Sequence, residues 1–153
     1  MEIKHLKELQ ENPKMYGYPG IINKPLTESE ISRLEQLYND GKQFPLALKE
    51  LLFLAGDLCY VLEYGTHDSQ RELQDYVRQI LMEENKEITD PYLVIDIYGG
   101  SQFLFVYLNQ GDDPIVYIAR YFDKTNWIKA LSYTISEYIS VSIERTKQGR
   151  NPF

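Results

Sequence analysis

The chain has 153 residues, 43% hydrophobic and 25% charged, with 16 Lys and Arg against 23 Asp and Glu for a formal net charge of -7. That length supports one domain with a sizeable core and excludes two ordinary ones, and the composition excludes a disordered chain. The acidic balance disfavours direct nucleic-acid binding, because phosphates require the opposite sign, and would speed encounter with a basic protein.

No apolar run approaches the roughly 18–20 residues that cross a bilayer, so no membrane association is expected. The N-terminus, polar from Met1 to Lys14, lacks the apolar stretch of a signal peptide. A single cysteine, Cys59, cannot form an internal disulfide and suits a reducing compartment. Cytoplasmic localisation is the expectation.

Residues 1–25 read as a segment docked on the domain. Ile3, Leu6 and Leu9 lie three apart and predict a short helix stopped before Pro13. The following stretch is rich in Gly, Pro and Tyr, a loop composition with Tyr16, Tyr18, Ile21 and Ile22 as its anchors. The domain proper spans 26–148, and residues 149–153 form a basic tail expected to fray. Thr27 and Glu30 have capping-box spacing and open a helix to Asp40, with Ile31, Leu34, Leu37 and Tyr38 as its apolar stripe. Pro45 starts a second helix, apolar around much of its circumference, which Gly56-Asp57 ends.

The run Leu58–Tyr64 fits a strand or a buried turn and is read as a strand. Ser69 and Glu72 repeat the capping spacing before a helix with Leu73, Tyr76, Val77, Ile80 and Leu81 inward. Pro91–Tyr121 is the densest β-branched and aromatic block. Tyr92–Tyr98 and Gln102–Leu108 are joined through Gly99-Gly100, which suits a type I′ turn. Ile115–Arg120 follows a looser loop, and Trp127–Tyr133 adds a strand. Thr134 and Glu137 then cap a last helix to about Arg145. The predicted fold class is α+β: one antiparallel β-meander packed with about four helices.

This order of features resembles the SUKH superfamily, the Smi/Knr-like proteins. The resemblance rests on the capped helix Thr27–Asp40, the helix from Phe44-Pro45 through Lys49 to Gly56-Asp57, the strand hairpin, the stretch Gly111–Tyr117 (GDDPIVY), and Tyr133–Ile139 (YTISEYI). It covers roughly Leu26 to Arg145. It implies a non-enzymatic protein-binding module: most bacterial members are immunity proteins that neutralise polymorphic toxins, many of them nucleases, and fungal relatives regulate cell-wall synthesis through protein contacts.

Catalytic patterns are not evident. The two histidines are His5 and His67, and His67 with Glu63 and Asp68 could be drawn as a metal or acid–base site, or read as a solvated loop. Cys59 lies in an apolar run without a basic neighbour and reads as core. No Gly-rich phosphate loop, nucleophile elbow or zinc-helix motif occurs. No cofactor and no metal are expected.

Binding has more support. Thirteen tyrosines exceed what a core of this size needs, and tyrosine is favoured at protein interfaces. Asp96 interrupts an apolar run on the face of Tyr92 and Tyr98, either as a solvent-face charge or as a carboxylate on a recognition surface. The expected partner is a basic toxin domain, with the chain a monomer or homodimer. Asp57, Glu63, Asp68, Asp96, Asp112 and Asp113 would pair with its Lys and Arg, and Tyr60, Tyr64, Tyr92 and Tyr98 would be packed anchors. An intracellular regulator with an endogenous partner is the alternative.

Overall fold

The computed structural model describes residues 1–63 and 67–152. In chain order the elements are α1 (Lys7–Glu11), β1 (Lys14–Met15), β2 (Tyr18–Ile22), α2 (Glu28–Tyr38), α3 (Leu46–Ala55), α4 (Gln70–Glu83), β3 (Tyr92–Tyr98), β4 (Gln102–Tyr107), β5 (Ile115–Ala119), β6 (Ile128–Thr134) and α5 (Ile135–Lys147). Strands β3-β4-β5-β6 form one antiparallel meander, and β1-β2 form a separate hairpin. The fold is α+β in a single domain. Among the described residues no helix is long and apolar enough to cross a membrane.

Strands β3 and β4 are buried on both sides, whereas β6 leaves Lys129, Ala130, Ser132 and Tyr133 exposed. Leu93, Leu104, Val106, Val116, Phe103 and Phe105 are all inaccessible to solvent, so β3 and β4 read as continuous apolar runs rather than alternating ones. Helix α5 packs on β5 and β6 and touches α1 and α3, while α4 lies against β3. Each hairpin partner contributes aromatic side chains: Phe105 stacks with Tyr117 at 5.6 Å and meets Tyr92 edge-on at 5.8 Å. Gly99 and Gly100 both take positive φ, 65° and 64°. The pair Tyr98↔Gln102 closes a three-residue connection, one residue longer than the two-residue turn expected.

The long helices start as their sequences dictate. Thr27 and Glu30 form a full capping box, and Ser69 and Thr134 accept the N–H of Glu72 and Glu137. Helix α3 ends at Gly56 for a reason of space rather than of φ, which is -72°. The Leu52 carbonyl accepts from both Gly56 and Leu26, so Leu26 crosses directly over the glycine, and a Cβ there would lie 2.6 Å from Leu26 Cγ.

Buried polar side chains tie the layers together. Glu50, in the middle of α3, accepts from the backbone N–H groups of Lys4, His5 and Leu6 at 2.6, 2.8 and 2.9 Å. Those three bonds seat the N-terminal segment, with Ile3, Leu6 and Leu9 in the core. Gln74 of α4 closes the outer edge of β3 by donating to the Val94 carbonyl (2.8 Å) and accepting from the Val94 N–H (2.9 Å). Arg78 adds a bond to the Tyr92 carbonyl at 3.1 Å. An edge strand is thereby capped by side chains instead of another strand.

Four expectations need correction. The run expected as strand Leu58–Tyr64 is not one over its described residues 58–63, Tyr64 lying outside them: Leu58 bridges to Lys24, and the Leu62 N–H then turns back to the Cys59 carbonyl. Residues 14–22 form a hairpin rather than a loop, and Tyr16, Tyr18, Ile21 and Ile22 are exposed instead of anchoring it. Leu37 and Tyr76 sit at the margins of their helical stripes and face solvent. The tail does not fray at residue 149: Gly149 takes φ 72°, the Arg150 N–H bonds the Arg145 carbonyl at 2.8 Å, and Pro152 is buried.

Candidate protein-binding surface

The residues expected to contact a partner fall into buried and exposed sets. Tyr60 is buried, and its hydroxyl donates to the Asn12 carbonyl at 2.9 Å while its N–H meets Asn23 Oδ1. Burial, with Cys59 and Glu8 nearby, pushes its phenol up to about 12. Tyr92 is also buried, under the Arg78 guanidinium at 4.3 Å from its ring centre. Both tyrosines are packed into the fold and present little surface to solvent.

Asp96 corrects both readings of the sequence, because it is fully buried. A register shift between Val94 and Asp96 displaces it from simple alternation, and β3 is buried from Tyr92 to Ile97 whichever way its side chains alternate. Its Oδ1 accepts the Glu63 N–H at 2.8 Å, while Oδ2 has no hydrogen-bond partner among the described residues. Desolvation raises its pKa to about 7 against the opposing pull of the Glu63 and Ile97 amides; the Glu63 carboxylate raises it further. Burial raises the phenols of Tyr98 and Tyr138, and the nearby Asp96 charge raises them further.

Glu63, Asp96 and Tyr98 are therefore brought together, but around a buried carboxylate. Asp57 and Asp68 are exposed, and Tyr64 lies outside the described residues. Asp112 is exposed at the other end of α3, where its carbonyl accepts the Ala47 N–H. A ten-residue helix, roughly 15 Å long, separates it from Asp57. Asp113 is half-buried and caps α5, accepting from the Ser136 N–H at 3.1 Å and Ser136 Oγ at 2.5 Å, with His5 Nδ1 at 3.9 Å. These acids do not form one patch.

The grouping of Ser136, Asp113 and His5 is not arranged for nucleophilic catalysis. The carboxylate stands between the hydroxyl and the imidazole, whereas activation needs the imidazole on the hydroxyl. His67 packs its ring on Tyr76 at 5.2 Å, and the Asp68 N–H bonds Glu72. Among the described residues no group of three or more His, Cys, Asp or Glu could hold a metal ion.

A more continuous surface lies along α4 and the β5–β6 loop. Phe122 is 63% exposed, Met82 66% and Tyr76 45%. Buried Tyr121 joins Phe122 to Tyr76: its ring is 4.7 Å from that of Phe122, and burial raises its phenol, with Tyr76 and Glu84 near enough to raise it further; Met82, six residues after Tyr76, lies on another side of α4. Trp127, half-buried, receives the Lys86 ammonium at 5.6 Å. Glu83, Glu84 and Glu87, at and just beyond the end of α4, and Asp123, next to Phe122 in the chain, are exposed carboxylates. A cavity of about 420 Å³ opens beside them, between Arg78, Met82, Ile88 and Tyr92.

The sequence did not reveal this surface because Tyr76 fits the helical stripe and Phe122 falls between the strand Ile115–Arg120 and the following turn. The available cue was an aromatic residue next to the polar turn Asp123–Asn126. Comparison of the chain with protein-family models, with curated proteins and with solved structures finds no match.

Proposed function

We propose that the protein is a non-enzymatic binding module that holds a basic protein against the aromatic, acidic surface of α4 and the β5–β6 loop. The observation that carries this reading is the set Phe122, Met82 and Tyr76, large apolar side chains left in solvent and flanked by Glu83, Glu84, Glu87 and Asp123. Exposed aromatic anchors within a polar rim are the composition of a protein interface, and the carboxylates steer a cationic partner.

The resemblance to the SUKH superfamily supports a more specific role. The partner would be a polymorphic toxin domain, possessing a basic active surface such as that of a nuclease, and the module would act in the cytoplasm as its immunity protein. Occlusion of that surface is the mechanism. Neutralisation then needs no catalytic residue in this chain, only a slow off-rate from packed anchors.

Co-expression tests the reading. Cells producing the protein encoded beside this one should die without the chain and grow with it, and Phe122→Ala combined with Glu84→Lys should abolish protection while leaving the fold intact by circular dichroism. Full protection by that double variant would move the contact elsewhere. A neighbour that is harmless would favour an endogenous regulatory partner.

A further inference from the structure

Trp127 immediately precedes β6, and Lys86 stands just past the end of α4. A backbone bond fixes each of them. The Arg120 N–H donates to the Trp127 carbonyl at 2.8 Å and closes the loop that carries Phe122. The Lys86 N–H donates to the Leu81 carbonyl at 2.8 Å, after Asn85 has turned to φ 53°, a left-handed helix end. The residue after such a cap commonly packs an apolar side chain back on its own helix. Here it is a lysine, and its ammonium lies 5.6 Å from the centre of the Trp127 ring.

That contact is readily exchanged. The Lys86 ammonium makes no hydrogen bond and no ion pair among the described residues, so the ring alone holds it, and a half-exposed ring holds an ammonium weakly. Lys86 is also the only Lys or Arg between Arg78 and Arg120, in a stretch that begins with Glu83, Glu84, Glu87 and Asp90. Glu84 lies close to Tyr121, and Glu87 shares with Lys86 the wall of the cavity of about 420 Å³. A ring that takes a cation beside these carboxylates is complementary to a cationic side chain from outside.

We infer that Trp127 is the slot for an arginine side chain of the partner, and that Lys86 fills the slot until that arginine displaces it. This rests on the reading of the α4 surface as a site for a basic protein, and it names the group recognised there. Exchange of one ammonium for another gains nothing. A guanidinium is planar, less strongly hydrated and stacks on an aromatic face, so it gains what a lysine does not. Lys86 therefore makes the surface select arginine over lysine, although the carboxylates attract both equally.

The test uses the full chain and three labelled, blocked peptides as probes: hexa-arginine, hexa-lysine and the neutral hexa-citrulline. Fluorescence polarisation at low salt should show hexa-arginine bound about threefold or more tighter than hexa-lysine, and hexa-citrulline unbound. Trp127→Leu should abolish that preference while both cationic peptides still bind, and Trp127→Phe should fall between. Lys86→Ala should tighten hexa-arginine more than Lys124→Ala does, because each removes one positive charge but only Lys86 sits on the ring. Trp127 is the only tryptophan, so wild-type emission should change on adding hexa-arginine. Thermal melts control for folding, and Lys86→Ala carries the test without altering the half-buried ring. Equal binding of the two cationic peptides, weakened by Glu84→Lys, would overturn the slot and leave the reading of the α4 surface standing. Binding of neither peptide would overturn both. An arginine preference that survives Trp127→Leu, or a Lys86→Ala effect no larger than that of Lys124→Ala, would also overturn the slot.

Discussion

Replacing Asp96 with asparagine removes an ionisable carboxyl that the fold holds out of water with one oxygen unpartnered among the described residues. The folded pKa of about 7 stands above the unfolded value of 3.8, so between those pH values the native chain keeps a proton that the unfolded chain has released. Stability from this group is therefore full below the unfolded pKa and is lost as pH rises through the folded one. The slope is about 1.4 kcal/mol per pH unit inside the window, so from pH 5 to pH 8 the wild type should lose about 3 kcal/mol through Asp96. The groups facing it do not offset this, because Glu63 is an acid and Tyr98 and Tyr138 are phenols pushed upward. Asparagine retains an acceptor for the Glu63 N–H and has no charge to desolvate. Urea denaturation of both proteins at pH 5 and pH 8 reads the difference. The variant should gain on the wild type by about 3 kcal/mol over that interval, to order of magnitude. Parallel losses in the two proteins would refute the assignment of a protonated, buried Asp96.

Three further substitutions probe the contacts that join the layers. Glu50→Ala leaves three amides without their acceptor and should cost about 3–5 kcal/mol in urea denaturation, with faster hydrogen exchange over residues 3–11; a loss under about 1 kcal/mol would contradict the clamp. Gln74→Ala opens both Val94 backbone groups in a buried setting and should cost about 2–4 kcal/mol, read as a lower denaturation midpoint. Gly56→Ala forces a methyl against Leu26 and the Leu52 carbonyl, so a loss of about 1–3 kcal/mol is expected by thermal melting, and a neutral result would deny the close approach.

The elements with strong local chemistry were legible in the sequence. Thr27, Ser69 and Thr134 marked three helix starts because each hydroxyl and its residue three positions on are chosen by the helix itself. The meander was legible from β-branched runs and the paired glycines. Leu58–Tyr64 was not, since an apolar run packs equally well as a turn, and the decision was made by Asn23 and Asp96 from elsewhere in the chain. The candidate site fared worse for the same reason. Asp96 and Tyr92 look like surface residues by alternation, and the packing of α4 against β3, with Arg78 over Tyr92 and the bulge after Val94, puts them inside. Glu50 carried no sign of its three backbone partners, which lie more than forty positions away.

The most direct test of the central claim is the association rate of this chain with the protein encoded beside it, measured by surface plasmon resonance at low and physiological salt. The α4 surface predicts a rate that falls steeply with salt, a shallower dependence for Glu84→Lys, and an off-rate raised at least tenfold by Phe122→Ala. A complex whose rates ignore salt and both substitutions, or no complex with a neighbour that is toxic, would contradict it.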